Sequence, residues 1–168
     1  TVKGGIGSGD VNNRENISVY RGIKEAGVSV TNEDWIQDYD KRYEEAREEW
    51  KEKILEDARH VQNPFDAYAA NPFVLPDGRR ITEADLKGAA AAVYMISRIS
   101  GEGRDRRLEK GDYYLSSRER EDILYLDGLH IPLILILNSG GPVELTDILQ
   151  ETENIRAVLN ISQPGQEG

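Results

Sequence analysis

Residues 131–138, Ile-Pro-Leu-Ile-Leu-Ile-Leu-Asn, constrain this chain more than any other stretch. Five aliphatic side chains follow the proline without a polar residue at alternate positions. A strand built from them has no face to give to water and must be covered on both sides. A mostly parallel sheet between helices supplies that cover. The flanking segments agree. Residues from about Ala91 to Ile99 read as a strand, and so does Arg-Ala-Val-Leu-Asn-Ile-Ser at 156–162. Between the first two strands, Ser116 and Glu119 form the pattern of a capping box for a helix reaching about Leu126. Pro142 is placed to start a short helix before the third strand. Strand, helix, strand, helix, strand requires crossover connections. The expected fold is therefore α/β, an open sheet flanked by helices as a sandwich.

The first half of the chain is helical in pattern. Asn16 is placed to cap a helix that runs to about Ala26 and stops at Gly27. Thr31 with Asp34 resembles a second capping box, followed by a long amphipathic helix from about Asn32 to Arg59. Trp35, Tyr39, Tyr43, Ala46, Trp50, Ile54 and Ala58 recur at steps of three and four and make one apolar stripe. The stripe reads as a packing surface in preference to a sugar platform. Asp38 with Arg42, and Glu49 with Lys53, are charge pairs one turn apart on the solvated face. Residues 63–80 contain three prolines, which exclude a continuous helix or a central strand, so the segment reads as a surface insertion loop. A further helix is expected from about Glu83 to Ala89. Residues 1–168 are expected to form a single domain.

Composition excludes several functions. A formal net charge of −10 opposes phosphate binding, so no nucleic-acid partner is expected. No run approaches the roughly 20 apolar residues of a membrane helix. The absence of cysteine removes disulfides, thiol catalysis and cysteine–zinc sites. The two histidines, His60 and His130, read as surface or packing residues, and no metal or cofactor is expected. Composition leaves the compartment open, with the cytoplasm favoured. The chain begins at Thr1 and ends at Gly168 after "SQPGQEG", which reads as an excised piece.

Ligands of open α/β sheets bind beyond the carboxyl ends of the strands. Three glycine-bearing loops leave such ends: "SGEGRDRR", "NSGGP" and "SQPGQEG". Glu102, between two glycines, is the one acid of the first loop set right at the strand end. It is either a presented catalytic carboxyl or a partner of Arg98, Arg104 or Arg106. "GGIGSGD", residues 4–10, has the look of a phosphate cradle. It lacks the Lys-Ser/Thr ending of a P-loop and the G-x-G-x-x-G spacing, and reads as a flexible loop.

Taken together, "KGGIGSGDVNNR", "ISRISGEGRDR", "KGDYYLS", "ILILNSGGPVEL" and "QPGQEG" resemble the second domain of glycoside hydrolase family 3, of the bacterial β-glucosidase type. The resemblance runs in order from Val2 to Gly168. It implies an active site divided between two domains, in a retaining enzyme acting on a β-glycoside or oligosaccharide. A preceding barrel domain carries the aspartate nucleophile and most sugar contacts. The α/β sandwich delivers the acid/base glutamate, which by the motif is Glu102, and a sugar-contacting serine, which by the motif is Ser8. The acid must enter the reaction protonated, which burial and a neighbouring carboxylate favour. Nearby arginines oppose this, so Arg98, Arg104 and Arg106 are expected to engage Asp105 and Asp112 and to shape the loop. The resemblance also implies that the barrel and a first strand precede Thr1. The isolated chain is then expected to be inactive and prone to self-association. A non-catalytic carbohydrate-binding or interaction module of the same fold is the competing reading, and a nucleotide-binding α/β domain a weaker third.

Overall fold

The computed structural model describes residues 17–99 and 105–163. These form two compact units, one of residues 32–85 and one containing the rest.

The larger unit holds the sheet. Strands β1 (Ala92–Ser97), β2 (Leu133–Asn138) and β3 (Ile155–Asn160) pair in parallel in the order β1-β2-β3. The apolar segment supplies the central strand. Leu133 and Leu135 are completely buried, and Ile136 and Leu137 nearly so, as expected of a strand covered on both faces. β1 and β3 are more exposed, with Val93, Val158 and Leu159 reaching solvent. Helix α1 (Val19–Glu25) also falls in this unit, as do α4 (Ser117–Gly128), between β1 and β2, and α5 (Thr146–Glu151), between β2 and β3. Ile123 and Leu126 of α4 and Ile148 of α5 join Ile96, Ile131 and Leu145 in the core. The capping box of α4 is complete. The Glu119 amide donates to Ser116 Oγ at 3.1 Å, and the Ser116 amide donates to the Glu119 carboxylate at 2.7 Å.

Three expectations need correction here. α1 is capped by Ser18, whose hydroxyl accepts from the Arg21 amide at 3.1 Å; Asn16 lies outside the described residues. The chain leaves α1 through Gly27 at φ +82°, a conformation that favours glycine. α5 starts at Thr146 with Leu145 as its cap, four residues beyond Pro142. The stretch after Thr82 forms only a short 3₁₀ turn, Glu83–Leu86.

The smaller unit is built on α2 (Glu33–Ala58), whose cap position is Asn32, without a side-chain bond. The proline-rich segment is more ordered than a loop. It contains α3 (Pro64–Ala70), started by Asn63 with Pro64 in the first turn, where proline's missing N–H costs nothing. The segment covers the aromatic stripe. Phe73 meets Tyr43 and Trp50 edge-on, at 5.6 and 5.5 Å between ring centres, and Tyr68 meets Trp50 at 5.7 Å. On the other face Arg42 pairs with Asp38 at 2.5 Å, while Lys53 pairs with Asp57, not Glu49.

Candidate functional site at the strand ends

The carboxyl ends of the three strands lie side by side, and their loops are tied together by side chains. β1 ends at Ser97, and Arg98 continues the ladder by donating its amide to the Asn138 carbonyl at 3.0 Å. The Arg98 side chain is buried. Its guanidinium makes two parallel bonds to the Glu119 carboxylate, at 2.6 and 2.7 Å, a charge-assisted fork that also fixes the start of α4. Its Nε donates to the Asp112 carbonyl at 2.7 Å.

Arg106 does the same from the far side of residues 100–104. Its Nε donates to the Asp112 carboxylate, and its Nη2 donates to the Asp112 carbonyl at 2.6 Å. Its Nη1 reaches the loop after β2, bonding Ser139 Oγ at 3.0 Å and the Pro142 carbonyl at 2.9 Å. A methyl group at Gly141 would stand 3.3 Å from this nitrogen, so the side chain lies flat against a position that has none. Burial acts to raise the Asp112 carboxyl. The Arg107 amide and the Arg106 guanidinium outweigh it, and the group titrates below the ordinary carboxylate range.

The third loop joins through Gln163, whose side-chain amide donates to the Arg98 carbonyl at 2.6 Å, bridging β3 to β1 past the central strand. Ser162 and Gln163 adopt φ of 51° and 53°, unusual for residues with side chains and a local strain of the kind found at functional sites. Asn138 and Ser139, beneath these loops, are buried. Tyr113 and Tyr114 meet edge-on at 5.0 Å beside this group. The Tyr113 hydroxyl donates to Glu144 at 3.3 Å, and the Glu144 amide returns a bond to the Tyr113 carbonyl at 2.8 Å.

Glu102 and Ser8 lie outside the described residues, as does Arg104. The expected engagement of Asp112 is found for Arg106, while Arg98 takes Glu119 as its charge partner. The sequence reading missed Glu119 in that role and missed Ser139 and Gln163 altogether. The capping-box motif had already singled out Glu119, but only for a helix start. His60 and His130 are both exposed. Among the described residues no cluster of side chains could hold a metal ion, and no helix is long and apolar enough to cross a membrane.

Over residues 1–168 the chain matches the family described as Glycosyl hydrolase family 3 C-terminal domain. Solved structures of β-glucosidase 3B from Thermotoga neapolitana, in complex with α-D-glucose, with glucose and with glycerol, are each similar to it at 32% identity and a TM-score of 0.66. The likeness covers 99% of this chain and 22% of each of those chains. No curated protein matches by sequence.

Proposed function

Because the chain belongs to the glycosyl hydrolase family 3 C-terminal domains, we propose that it is the second domain of a retaining β-glycosidase of the β-glucosidase type, supplying Glu102 as the general acid/base. In this reading a barrel domain contributes the aspartate nucleophile, and Ser8 contacts the sugar of the cleaved residue. The observation that carries it is the whole-chain family match, with "SGEG" beginning three residues after Ser97, the last residue of β1, in the sequence. What supports it further is the disposition of charge around the loop. Arg98 is committed to Glu119, and Arg106 to Asp112, so these two guanidinium groups are neutralised by other acids. A carboxyl at 102 is thereby spared these two of the cations that would hold it ionised.

A retaining glycosidase needs two carboxyl groups about 5–5.5 Å apart. The aspartate attacks the anomeric carbon while Glu102 gives its proton to the departing oxygen. Glu102, now a carboxylate, then takes a proton from the water that releases the sugar. Flanking glycines let a rigid strand end present that carboxyl across a domain boundary with little crowding.

Glu102→Gln in the full-length enzyme tests this. For a glycoside with a poor leaving group, kcat/KM should fall by roughly 10²–10⁴, the usual contribution of general acid catalysis. For an activated aryl glycoside kcat/KM should change little, while kcat falls because the intermediate accumulates. Azide should restore turnover as a β-glycosyl azide, better in Glu102→Ala, which leaves room for the anion. Ser8→Ala should weaken sugar binding without leaving-group dependence. Equal losses for good and poor leaving groups, with no azide effect, would remove Glu102 from the role and direct attention to Asp105 and Asp10.

A further inference from the structure

On the turn between β1 and α4, at the carboxyl end of the sheet, Tyr114 is 43% exposed yet rigidly held. Its amide donates to the Glu109 carbonyl at 3.1 Å, and its carbonyl accepts from the Gly111 amide at 3.0 Å. Its ring is braced by Tyr113, with ring centres 5.0 Å apart and planes at 81°. Tyr113 is itself fixed to the loop after β2, by its hydroxyl donating to Glu144 and its carbonyl accepting from the Glu144 amide. The Glu144 carboxylate is oriented by a bond on each oxygen, from Tyr113 to one and from the Thr146 amide at 2.6 Å to the other. Thr146 holds the Glu144 carboxyl below the ordinary range, so the brace keeps its charged acceptor. A ring locked through two loops loses little freedom when a ligand covers it, which favours binding.

The surroundings narrow what that ligand is. Besides Leu108, the turn carries Arg107, Glu109, Lys110 and Asp112, two charges of each sign. Such a surface favours neither an anion nor a cation, and it has no broad apolar area for a protein partner. One exposed ring among charged and hydrogen-bonding groups suits a neutral ligand that is apolar on one face and hydroxylated at its rim. A β-linked pyranose has that form. Its axial C–H groups carry partial positive charge and meet the negative face of an aromatic ring, while its hydroxyls point outward to polar neighbours. The place is one where open α/β sheets take ligands.

We propose that Tyr114 is a sugar-stacking residue, holding a pyranose ring of a β-linked oligosaccharide beyond the sugar that is cleaved, with Tyr113 and Glu144 as its brace. This deepens the glycosidase reading and rests on it for the identity of the substrate. It makes Tyr114 a specificity residue for chain length, with no part in proton transfer.

The test compares two substrates in the full-length enzyme, a β-linked glucotriose and methyl β-glucoside, which has no second ring to stack. Tyr114→Ala should raise KM for the glucotriose by roughly 3–10-fold, the size of one aromatic contact, and leave kcat near wild type. It should change kcat/KM for methyl β-glucoside by less than about twofold. Tyr114→Trp, which keeps a stacking face, should restore the glucotriose KM. A titration of the 168-residue chain with millimolar glucotriose, followed by NMR, gives a readout that needs no catalysis. The Tyr114 and Tyr113 resonances should shift, and in Tyr114→Ala the shift at Tyr113 should vanish while the rest of the spectrum keeps its wild-type dispersion. Equal losses for the two substrates would make Tyr114 a contact of structure or of domain docking and would overturn the proposal. So would an unchanged glucotriose KM in Tyr114→Ala, or a titration that leaves Tyr113 and Tyr114 unmoved. Failure of the Glu102→Gln test would remove the acid/base assignment without altering the titration, so the two failures are distinguishable.

Discussion

Asp85 shows how much one buried carboxylate can depend on its neighbours. It accepts two bonds from Arg79, at 2.5 and 2.9 Å, and two from Thr82, from the amide and the hydroxyl, each at 2.8 Å. The Arg79 bonds are the main cause of a carboxyl held down to about 2, against the opposing effect of burial. The native state therefore binds its proton later than the unfolded chain does. The stabilisation, on the order of 2 kcal/mol, is complete above the ordinary value of 3.8 and is lost as pH falls through about 2. Both tryptophans, Trp35 and Trp50, lie in the same unit as Asp85, so their fluorescence reports on it. Acid titration should show a tryptophan-detected transition, and Asp85→Asn should move it to higher pH and lower the thermal midpoint at neutral pH. An unchanged acid midpoint in Asp85→Asn would show that other groups govern this unit.

The long helix and the proline-rich segment form one packing unit at the scale of elements. Periodicity located α2 to within a residue at each end, because its stripe repeats for seven turns. The cover of that stripe was not legible. Three prolines argue against a long helix, yet a seven-residue helix that begins on one of them escapes the argument. The interlock is close at Gly78, where an added methyl would stand 2.4 Å from Trp35 Cζ2, while Trp35 Nε1 donates to the Arg79 carbonyl at 3.1 Å. Gly78→Ala must displace the indole and should destabilise this unit by about 1–3 kcal/mol, the usual size of an overpacking cost. The checks are a lowered thermal midpoint and a red-shifted tryptophan emission. A wild-type midpoint would mean that the segment shifts aside freely.

For the whole molecule, the 22% share of the related glucosidase chains bears on what this chain can do alone. By the reading above it carries one carboxyl of a pair, and neither carboxyl cleaves the bond unaided. The isolated chain should therefore release no aglycone from an aryl β-glucoside at enzyme-like rates; robust turnover would contradict the divided site. Among the described residues β1 and β3 each pair on one side only, and Val93, Val158 and Leu159 are partly exposed. Open strand edges invite pairing with other chains. Light scattering on the isolated chain should show association rising with concentration, and a monomer maintained at high concentration would show that these edges are protected.

What the sequence determined by itself was whatever repeats locally or is confined to a few neighbouring residues. The apolar run set β2 as a strand covered on both faces, the Ser116–Glu119 pattern set the start of α4, and the strand–helix alternation set a parallel sheet whose ligand loops share one end. Motifs then joined those loops to a family. The tertiary structure decided the partners. Arg98 and Arg106 look equivalent in sequence, yet one takes Glu119, 21 residues away, and the other takes Asp112 and Ser139, 6 and 33 residues away. Gln163 reaches back 65 residues to Arg98. An arginine can reach any acid within the length of its side chain, so only the packing of strands and loops determines which acid stands there and at what angle.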